Sequence, residues 1–533
     1  MLMMFIPFSA VGNGQGLPNE HGKYWAYFTA KKATQPEAGW LSPRCRARRR
    51  HHGFPVQVMA DVPVNPRPLG EVSRLADSLG QVSRWLNAVG FWGNAKTARK
   101  VAALPGVRRI ARMPTPAHRQ AAKLPQAVTT DVTPERLRAY QVTRLQADTF
   151  RQKGLEGRGV RIAVFDAGFR GARQTAALQH LWDNDQVRRT RDFVGNDSDV
   201  FFPSAHGTMV LSCIAGRKDS LYIGLAPKAE FLLARTERLI WEVASEEDNW
   251  IAALEWAERH GADLVNSSLG YTRPRYRRQD MDGKIAPVSR AAGLAAKRGL
   301  LVVNSAGNEG EDQWRYIAAP ADEDSVLSVG ATSPFTDLRA PFSSFGPNAN
   351  GEAAPVVTAP GIVAAAAGLR DLREIQGTSF SAPLVTGFAA CLRQKNPGLR
   401  AMALHQLIRS SGHLHPYYDY ELGHGVPQAA KALRLMRNAQ IDPQPTFSSR
   451  VEQGVLVLNL NQGRYQKRME EGKPRHTYVF YHVEGPDGRL RAQRLLRNPK
   501  PEIRIHLQTL DTRDTLRVHY EGFTLEVAME DVP

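Results

Sequence analysis

The amino-acid sequence predicts an α/β protein whose central part is a doubly wound, mostly parallel β-sheet, with a small α+β unit before it and a β-rich domain after it. In the middle of the 533-residue chain, short apolar runs alternate with amphipathic helical patterns, which is typical of strands buried on both faces by crossover helices. Before residue 114 strand-like and helix-like patterns are mixed, and after about Asp442 the helical patterns stop. We therefore expect several folding units.

The N-terminal part is divided into three segments. Residues 1–23 begin with an apolar run followed by small residues, which resembles the later part of a secretory signal but lacks its basic start; a disordered tail is the alternative. Residues 24–113 are predicted to form the α+β unit, because an extended-looking stretch is followed by helical and further strand-like patterns. Residues 114–150 are interpreted as a linker, since their first half is rich in proline and polar residues.

The central domain is predicted over residues 151–440. The clearest helix pattern in it runs from Ser245 to His260, with acidic residues in the first turn and a capping-box signature formed by Ser245 and Asp248. Right-handed crossovers are expected between the strands. The candidate strands are short apolar runs of the kind found in parallel sheets: Val160–Phe165, Phe231–Ala234, Leu264–Ser267, Leu300–Val303 and Val326–Val329.

A separate β-domain is predicted over residues 441–533. The segments Val455–Leu460, His476–His482 and Leu516–Tyr520 are rich in strand-forming residues and are separated by Gly, Asn, Pro and Asp. The pattern by itself assigns no role to this domain. Adhesion, sorting and stabilisation of the central domain are all open.

The composition limits the possible partners. No apolar run approaches the ~20 residues that a membrane span needs, so no span is predicted. The formal charge of +18 raises the question of a nucleic-acid partner. The basic runs Arg44–Arg50 and Arg273–Arg278 lack the interleaved aromatic residues of a recognisable RNA- or DNA-binding motif, so no nucleic-acid partner is predicted. Attraction to anionic cell surfaces or acidic substrates accounts for the charge equally well.

Two polar residues stand where reactive groups collect in parallel sheets. Asp166 follows the apolar strand pattern directly and precedes Ala167 and Gly168, which places it at the carboxyl end of a strand. His206, in the segment SAHGTMV, stands at the start of an apolar helix. Taken alone, each is more typical of a structural residue. Their value comes from the residues that accompany them.

Two further residues suit acyl chemistry. Ser379, in GTSFSAP, opens a helix whose N-terminal N–H groups and dipole favour an oxyanion, whereas Thr378 or Ser381 is the expected N-cap. Asn308, in NSAGNEG, follows an apolar strand and carries an amide that could donate to the same oxyanion. The structural alternative for Asn308 is a residue that satisfies its own turn.

The chain order Asp, His, Asn, Ser, in the contexts DAGF, HGTMV, NSAGNEG and GTSFSAP, resembles the subtilase family of serine proteases. The resemblance extends from Val160 to Pro427 and implies a subtilisin-like fold and a serine endopeptidase. It implies that Ser379 is the nucleophile, that His206 transfers its proton, and that Asp166 orients the imidazole. Asn308 and the backbone N–H of Ser379 would form the oxyanion hole.

The same resemblance implies how a substrate would bind. Ser268, Leu269 and Gly270 match the substrate-binding strand of the family, and Ala306 and Gly307 match the opposing wall of the S1 pocket. Residues 237–244 match the second edge strand that grips an extended peptide. Ala167 departs from the family, which commonly has a hydroxyl residue after the aspartate, and the departure puts one hydrogen bond to Asp166 in doubt.

The resemblance also sets expectations about partners. Protein or peptide substrates are expected, and the unit over residues 24–113 is similar in position to the family's propeptide, an intramolecular inhibitor of a zymogen; a permanent accessory domain is the alternative. No cofactor is required. Calcium is possible but unassigned: the carboxylates of DMDG (Asp280–Gly283) could bind it or could lie in a solvated turn. A secreted, cell-surface or periplasmic location is expected.

Three other functions were weighed against the sequence. An α/β-hydrolase esterase needs G-x-S-x-G with its Asp and His after the serine, but Ser381 stands at the second glycine and both partners precede Ser379. A sedolisin-like acid peptidase would have Glu in the role of His206. A non-catalytic scaffold would be expected to have lost a reacting residue, and all four are present.

Overall fold

The N-terminal unit is a four-stranded antiparallel sheet, in the order β2-β3-β1-β4, covered by helices. The computed structural model describes residues 21–31, 35–113, 133–238, 245–368, 372–437, 444–461 and 477–532. Side chains of Ser42, Asn65 and Asn94 accept backbone N–H groups at the helix starts. The elements are β1 (Gly22–Phe28), α1 (Pro43–His51), α2 (Pro66–Leu75), β2 (Ser78–Ser83), β3 (Ala88–Gly93), α3 (Ala95–Ala102) and β4 (Val107–Met113).

The central domain is built on a seven-stranded sheet in the order β13-β12-β11-β10-β5-β9-β6, in which every neighbouring pair is parallel. Its strands are β5 (Arg161–Asp166), β6 (Val187–Asp192), β9 (Glu230–Arg235), β10 (Leu264–Ser267), β11 (Leu301–Ser305), β12 (Leu327–Thr332) and β13 (Val357–Pro360). Two short hairpins accompany the sheet: β7 (Arg217–Lys218) with β8 (Leu221–Tyr222), and β14 (Ile362–Ala366) with β15 (Leu372–Gln376).

Helices cover both faces of this sheet. One face buries a core shared with α7 and α10, and the other buries a core shared with α8, α9 and the N-terminal unit. The helices are α4 (Pro134–Thr143), α5 (Ala147–Arg151), α6 (Gln179–Asp183), α7 (His206–Ala215), α8 (Ser245–Arg259), α9 (Pro287–Ala296), α10 (Thr378–Lys395), α11 (Ala401–Ser410) and α12 (Ala429–Leu435). The predicted doubly wound fold with a largely parallel sheet is confirmed.

All five predicted strands of the sheet are present as β5, β9, β10, β11 and β12, and Leu264–Ser267 has the predicted bounds. The edge strands β6 and β13 were not predicted. Their sequences, VRRTRD and VTAP, contain no long apolar run. The edge strand β6 has exposed arginines, whereas β13 is buried throughout but is only four residues long. The predicted helix over Ser245–His260 is α8.

The interpretation of residues 114–150 as a linker is wrong for its second half. Thr133 caps α4 with Pro134 in its first turn, and α5 follows after three residues. Val142, Leu145 and Phe150 are buried in the core of the central domain, so these helices belong to that domain. Residues 114–132 lie outside the described residues.

The N-terminal unit docks on α8 and α9 through a shared core and buried ion pairs. Trp25, Tyr27 and Trp85 pack in the same apolar cluster as Trp250 and Leu254 of α8. Lys23 of β1 and Asp248 of α8 form an ion pair of 2.5 Å, with both side chains fully buried. The unit is therefore attached to the central domain by core-like packing.

The C-terminal region is a pair of antiparallel sheets, β16-β17-β20 and β19-β18-β21-β22, packed around one apolar cluster. It confirms the predicted β-rich region and joins the central domain at the loop before α12, where Leu414 and Tyr417 pack on Phe480. Its strands are β16 (Phe447–Glu452), β17 (Val455–Leu460), β18 (Tyr478–Glu484), β19 (Leu490–Arg497), β20 (Glu502–His506), β21 (Thr515–Tyr520) and β22 (Phe523–Ala528).

Two further features of the described residues concern membrane-spanning helices and cysteines. None of their helices combines the length and the apolar composition that crossing a membrane requires. The three cysteines, Cys45, Cys213 and Cys391, are buried and free. The apolar segment at the start of the chain lies outside the described residues.

Candidate active site

Asp166 and His206 form a hydrogen-bonded pair at the carboxyl end of the sheet. Asp166 is the last residue of β5 and is fully buried, and His206 is the first residue of α7. The imidazole Nδ1 lies 2.8 Å from Oδ1 and 2.9 Å from Oδ2 of Asp166. The N–H of His206 donates to the hydroxyl of Ser204 (3.0 Å), which holds the start of α7 in place. The two residues predicted from separate segments are thus brought together.

Two glycines permit the close approach of α7 to the strand end. Gly168 has φ +144°, and a Cβ there would lie 2.8 Å from the carbonyl oxygen of Phe202. A Cβ on Gly207 would lie 2.6 Å from the carbonyl oxygen of Gly168. Side chains at these positions would push the imidazole away from Asp166.

A backbone N–H bonds to Asp166 at the position where the family commonly has a hydroxyl side chain and this chain has Ala167. The backbone N–H of Ala167 donates to Oδ1 of Asp166 (2.8 Å), so a main-chain group supplies a donor beside the imidazole. A carboxylate that accepts two donors keeps a defined orientation. The aspartate is therefore held without a neighbouring hydroxyl side chain.

The pKa of His206 is raised above its ordinary value. Burial opposes the charged imidazolium, but the charge of Asp166 and the hydrogen bond to it favour that form and outweigh the burial. An imidazole with a neighbouring carboxylate can therefore take up a proton and keep it as imidazolium.

Ser379 is the second residue of α10, which begins with Thr378 after the N-cap residue Gly377. The predicted N-caps, Thr378 and Ser381, are both inside the helix, and no side chain caps it. The Ser379 hydroxyl donates to the carbonyl oxygen of Ser268 (3.3 Å), and among the described residues no hydrogen bond joins it to His206. Such contacts often tighten only when a substrate is bound.

The rings of His206 and Phe380 connect the two helices. Their centroids are 5.5 Å apart, so the residue after Ser379 packs against the imidazole. The start of α10 and the start of α7 therefore lie at the same end of the sheet.

Asn308 presents its amide group to the start of α10. Its Oδ1 accepts the backbone N–H of Thr378 (2.9 Å) and the hydroxyl of Thr378 (3.0 Å). Because a backbone N–H can only donate, the oxygen must face Thr378 and the amino group must face the other way. A Cβ built on Gly377 would lie 3.7 Å from Nδ2, so this amino group lies close to the N-terminus of α10.

The predicted substrate-binding residues line two neighbouring strand ends. Ser268, Leu269 and Gly270 follow β10, and Asn304 of β11 donates to the carbonyl oxygen of Leu269 (2.9 Å). A Cβ on Gly270 would lie 2.7 Å from the Cβ of Ala318. The N–H of Ala318 donates in turn to the carbonyl oxygen of Ala306 (3.1 Å). The residue pair Ala306 and Gly307 is thus joined to the first segment through Ala318.

The second predicted edge strand, over residues 237–244, lies mostly outside the described residues. Glu237 and Arg238 are described, and the N–H of Arg238 donates to Glu246 of α8 (3.0 Å). Residues 239–244 are not.

Several supporting residues escaped the sequence analysis. Thr378, which orients Asn308, directly precedes the candidate nucleophile, and its hydroxyl was the available signal. Asn266, a polar residue inside the buried strand β10, donates to the hydroxyl of Ser268 (3.2 Å), which donates to the carbonyl oxygen of Ser379 (2.9 Å). A buried amide in an apolar strand could have pointed to this role.

The DMDG segment closes turns. Asp282 accepts the N–H groups of Lys284 and Ile285 (both 2.8 Å), and Asp280 accepts the N–H of Arg277 (2.7 Å). Within the described residues no group of three or more His, Cys, Asp or Glu side chains could hold a metal ion. The geometry therefore assigns no calcium ligand in this segment.

Comparison with known proteins supplies independent information. The model of the subtilase family matches residues 157–425, about half of the chain, and a model of the peptidase S8 propeptide domain of Bacteroidota matches residues 23–127. The second match covers the predicted α+β unit and extends into the segment interpreted as a linker.

Individual proteins agree with these matches. The chain is 30% identical over 261 residues to Subtilisin Savinase of Lederbergia lenta, covering 48% of this chain and 85% of that protein. It has the same identity to M-protease of Shouchella clausii (strain KSM-K16), but spans only 60% of that protein's length. Among solved structures, fervidolysin from Fervidobacterium pennivorans, described as a keratinolytic enzyme related to subtilisin, superposes with a TM-score of 0.54 at 17% identity. The match covers 94% of this chain and 71% of the fervidolysin chain. At that identity the likeness concerns the fold alone.

Proposed function

Because this chain belongs to the subtilase family, we propose that it is a serine endopeptidase that hydrolyses peptide bonds in protein or peptide substrates. The observation that carries the proposal is the hydrogen-bonded pair of Asp166 and His206 at the sheet edge where α10 presents Ser379 and Asn308 presents its amino group. No cofactor takes part in this chemistry.

The proposed reaction proceeds through an acyl-enzyme. The Ser379 oxygen attacks the scissile carbonyl carbon while Nε2 of His206 takes its proton, and the carbonyl oxygen becomes an oxyanion. The imidazolium then donates that proton to the leaving amine, and water repeats the sequence to release the acid and restore the serine. Asp166 keeps the imidazole in the tautomer with the proton on Nδ1 and stabilises the imidazolium.

The oxyanion is stabilised by groups that are oriented beforehand. Nδ2 of Asn308 is turned toward the start of α10 because Thr378 holds the amide oxygen. The N–H of Ser379 lies in the first turn of α10, where N–H groups lack helical partners. Donors fixed in this way cost no reorganisation when charge develops on the oxygen.

The proposed substrate lies as an extended chain beside Ser268–Gly270, with its S1 side chain between that segment and Ala306–Gly307. Main-chain hydrogen bonds of this kind give affinity that depends little on sequence. The N-terminal unit acts as a propeptide and intramolecular inhibitor of a zymogen, in agreement with the family match over residues 23–127. We also propose a secreted, cell-surface or periplasmic location.

A fluorophosphonate probe tests the nucleophile, because it reacts only with an activated serine. The purified protein should be labelled, and labelling should disappear in Ser379→Ala. Ser381→Ala is the matched control: this serine is also buried on α10 but donates to the carbonyl oxygen of Pro360 (3.2 Å), so labelling should persist. A folded wild-type protein that takes up no label would favour a non-catalytic scaffold.

A further inference from the structure

A buried serine far along the chain contacts both neighbours of the proposed oxyanion donor. Ser344 is fully buried and lies in the loop between β12 and β13. Its N–H donates to the carbonyl oxygen of Gly307 (3.0 Å), and its hydroxyl accepts the N–H of Glu309 (3.1 Å). Asn308 is thus held on both sides by a single residue.

The hydroxyl of Ser344 makes two hydrogen bonds to Glu309. Besides accepting the N–H of Glu309, it donates to Oε2 of the same residue (3.0 Å). The space around it is also tight, because a Cβ on Gly307 would lie 2.8 Å from Oγ of Ser344. A change of this side chain therefore acts on the backbone that carries Asn308.

The same loop is tied to the C-terminal β-domain. The N–H of Gly346 donates to the carbonyl oxygen of Tyr420 (2.9 Å). Tyr420 in turn binds strand β19: its N–H donates to Gln493 (3.2 Å), and its hydroxyl accepts the N–H of Leu490 (3.0 Å). That hydroxyl also donates to the carbonyl oxygen of Gly351 (3.0 Å), which returns to the loop. Hydrogen bonds, together with the backbone of residues 344–346, therefore connect β19 to Gly307 and Glu309, the two neighbours of Asn308.

We propose that Ser344 is a positioning residue for the oxyanion donor Asn308, and that Tyr420 makes the C-terminal β-domain part of its support. The inference rests on the proposed function and deepens it by giving the β-domain a catalytic role. An oxyanion donor acts only within a narrow range of distance from the developing charge. Its backbone must be held by a second layer of contacts, because thermal movement of the loop would weaken that bond in the transition state.

Ser344→Ala tests the first part, with Ser343→Ala as its matched control. Both serines are fully buried. The hydroxyl of Ser343 accepts the N–H of Ala331 on β12 (3.0 Å) and donates to the carbonyl oxygen of Ser344 (3.2 Å), whereas the hydroxyl of Ser344 bonds directly to Glu309 beside Asn308. Ser344→Ala should lower kcat by about 10-fold with little change in KM, less than the roughly 10²–10³-fold known from subtilisin for loss of the donor itself. Ser343→Ala should lower the thermal midpoint similarly while kcat stays near the wild-type value.

A combination with Asn308→Ala separates positioning from general damage. If Ser344 acts through the amide of Asn308, removing Ser344 in the Asn308→Ala protein should cost no further kcat. Ser344→Cys, which keeps the side-chain shape but accepts hydrogen bonds weakly, should give a kcat between wild type and Ser344→Ala. Additive losses in the double variant, or equal losses for both serines, would overturn the assignment.

Tyr420→Phe tests whether the β-domain contributes to the positioning of Asn308, with Tyr418→Phe as its control. The hydroxyl of Tyr418 reaches the same domain at the carbonyl oxygen of Gly488 (3.3 Å) without bonding to the loop of Ser344. Tyr420→Phe removes the two hydrogen bonds of this hydroxyl, to Leu490 and Gly351, and should lower kcat roughly 3-fold at constant KM, whereas Tyr418→Phe should not. Unchanged kcat in Tyr420→Phe would remove the β-domain from the proposal.

The two proposals fail in different ways. A wild-type protein that is folded but neither labelled by the fluorophosphonate nor active on peptides contradicts the proposed function, and the positioning role falls with it. An active wild-type protein whose kcat is insensitive to Ser344→Ala contradicts the positioning role alone.

Discussion

At the scale of single residues, two opposing effects set the pKa of His206. Burial disfavours the imidazolium, whereas the carboxylate of Asp166, 2.8 Å from Nδ1, favours it and prevails. The pKa of His206 is consequently raised. A general base must be neutral to accept a proton, so the activity that depends on it disappears as the pH falls through this raised pKa.

The first prediction concerns the pH dependence of kcat/KM. The acid limb should have its midpoint above the ordinary histidine value of 6.5. In Asp166→Asn the favourable charge is removed while the burial remains, so the midpoint should move to lower pH and the rate should fall by about 10⁴-fold. Steady-state kinetics on a fluorogenic peptide between pH 5 and pH 9, with about half-unit steps, would measure both effects.

A control for this prediction is Asp192→Asn. Asp192 is a buried carboxylate at the end of β6, one strand beyond β9, and it pairs with Arg235 (2.7 Å) instead of with His206. Its neutralisation should leave the midpoint of the acid limb in place. A midpoint that moves equally in both variants would mean that the general charge of the region, and not Asp166, controls His206.

At the scale of elements, α8 carries more of the structure than its sequence pattern indicated. The acidic residues of its first turn suggested a helix cap, but Asp248 is used to bind Lys23 of the N-terminal unit. Further along, Glu255 accepts the hydroxyl of Ser83 (2.6 Å), and Glu258 accepts the guanidinium of Arg49 (2.9 Å). Buried carboxylates need such partners, since an unpaired charge there is strongly unfavourable.

The second prediction uses the space in which the Asp248 carboxylate lies. A Cβ on Gly90 of β3 would lie 2.2 Å from Oδ2 of Asp248, so Gly90→Ala should displace the carboxylate from Lys23. Breaking a buried pair in this way costs about 3–5 kcal/mol. Thermal denaturation should show a clearly lowered first transition, measured in the Ser379→Ala background to prevent self-cleavage.

Gly70→Ala is the matched control for Gly90→Ala. Gly70 lies within α2 of the same unit, and a Cβ there meets nothing within 4 Å. Alanine in a helix interior should be neutral or slightly stabilising. An equal loss of stability in both variants would show that the ion pair of Asp248 and Lys23 does not hold the N-terminal unit on α8.

At the scale of the whole molecule, buried histidines accumulate where the central domain meets the β-domain. Burial lowers the pKa of His405, His415 and His482 to about 4 and that of His519 to about 3. Between the lowered pKa and the ordinary histidine pKa of 6.5, each of these side chains is neutral in the folded protein. In that pH range it takes up a proton when the protein unfolds. Their contribution to stability is therefore present above pH 6.5 and is lost as the pH falls toward about 4.

Buried carboxylates act in the opposite direction. Burial raises the pKa of Asp322 and Asp419 to about 6, so the folded protein binds their protons more readily than the unfolded chain does. Their contribution grows as the pH falls from 6 toward 4. The histidines outnumber them at the junction of the two domains, so we expect the net stability to decrease on acidification.

The third prediction follows from this balance. The thermal midpoint of the Ser379→Ala protein should fall between pH 7 and pH 4.5, and the fall should be shallower in His519→Gln. His506→Gln, on the exposed side of β20, should leave the slope unchanged. A midpoint that rises on acidification would show that the carboxylates dominate.

The candidate reacting residues could be proposed from the sequence because each lies in its own local context. Asp166 ends an apolar strand, and His206 and Ser379 lie at the starts of apolar helices close to glycines. Each candidate residue can therefore be recognised from a few consecutive residues around it. The two residues proposed to support Asn308 from a distance could not be found in this way. Ser344 lies 36 positions after Asn308 and Tyr420 lies 112 positions after it, and nothing local distinguishes them from other buried polar residues.

The sequence by itself determined the alternation of strands and helices, the parallel sheet and the four candidate reacting residues, since periodicity and strand-end position are local properties of the chain. Only the tertiary structure decided that residues 134–150 join the central core, that Asp248 binds Lys23, and that β19 reaches the loop of Ser344 through Tyr420. These contacts depend on which surfaces meet when the chain is packed. Packing brings together residues more than 100 positions apart whose own neighbours in sequence carry no trace of the partner.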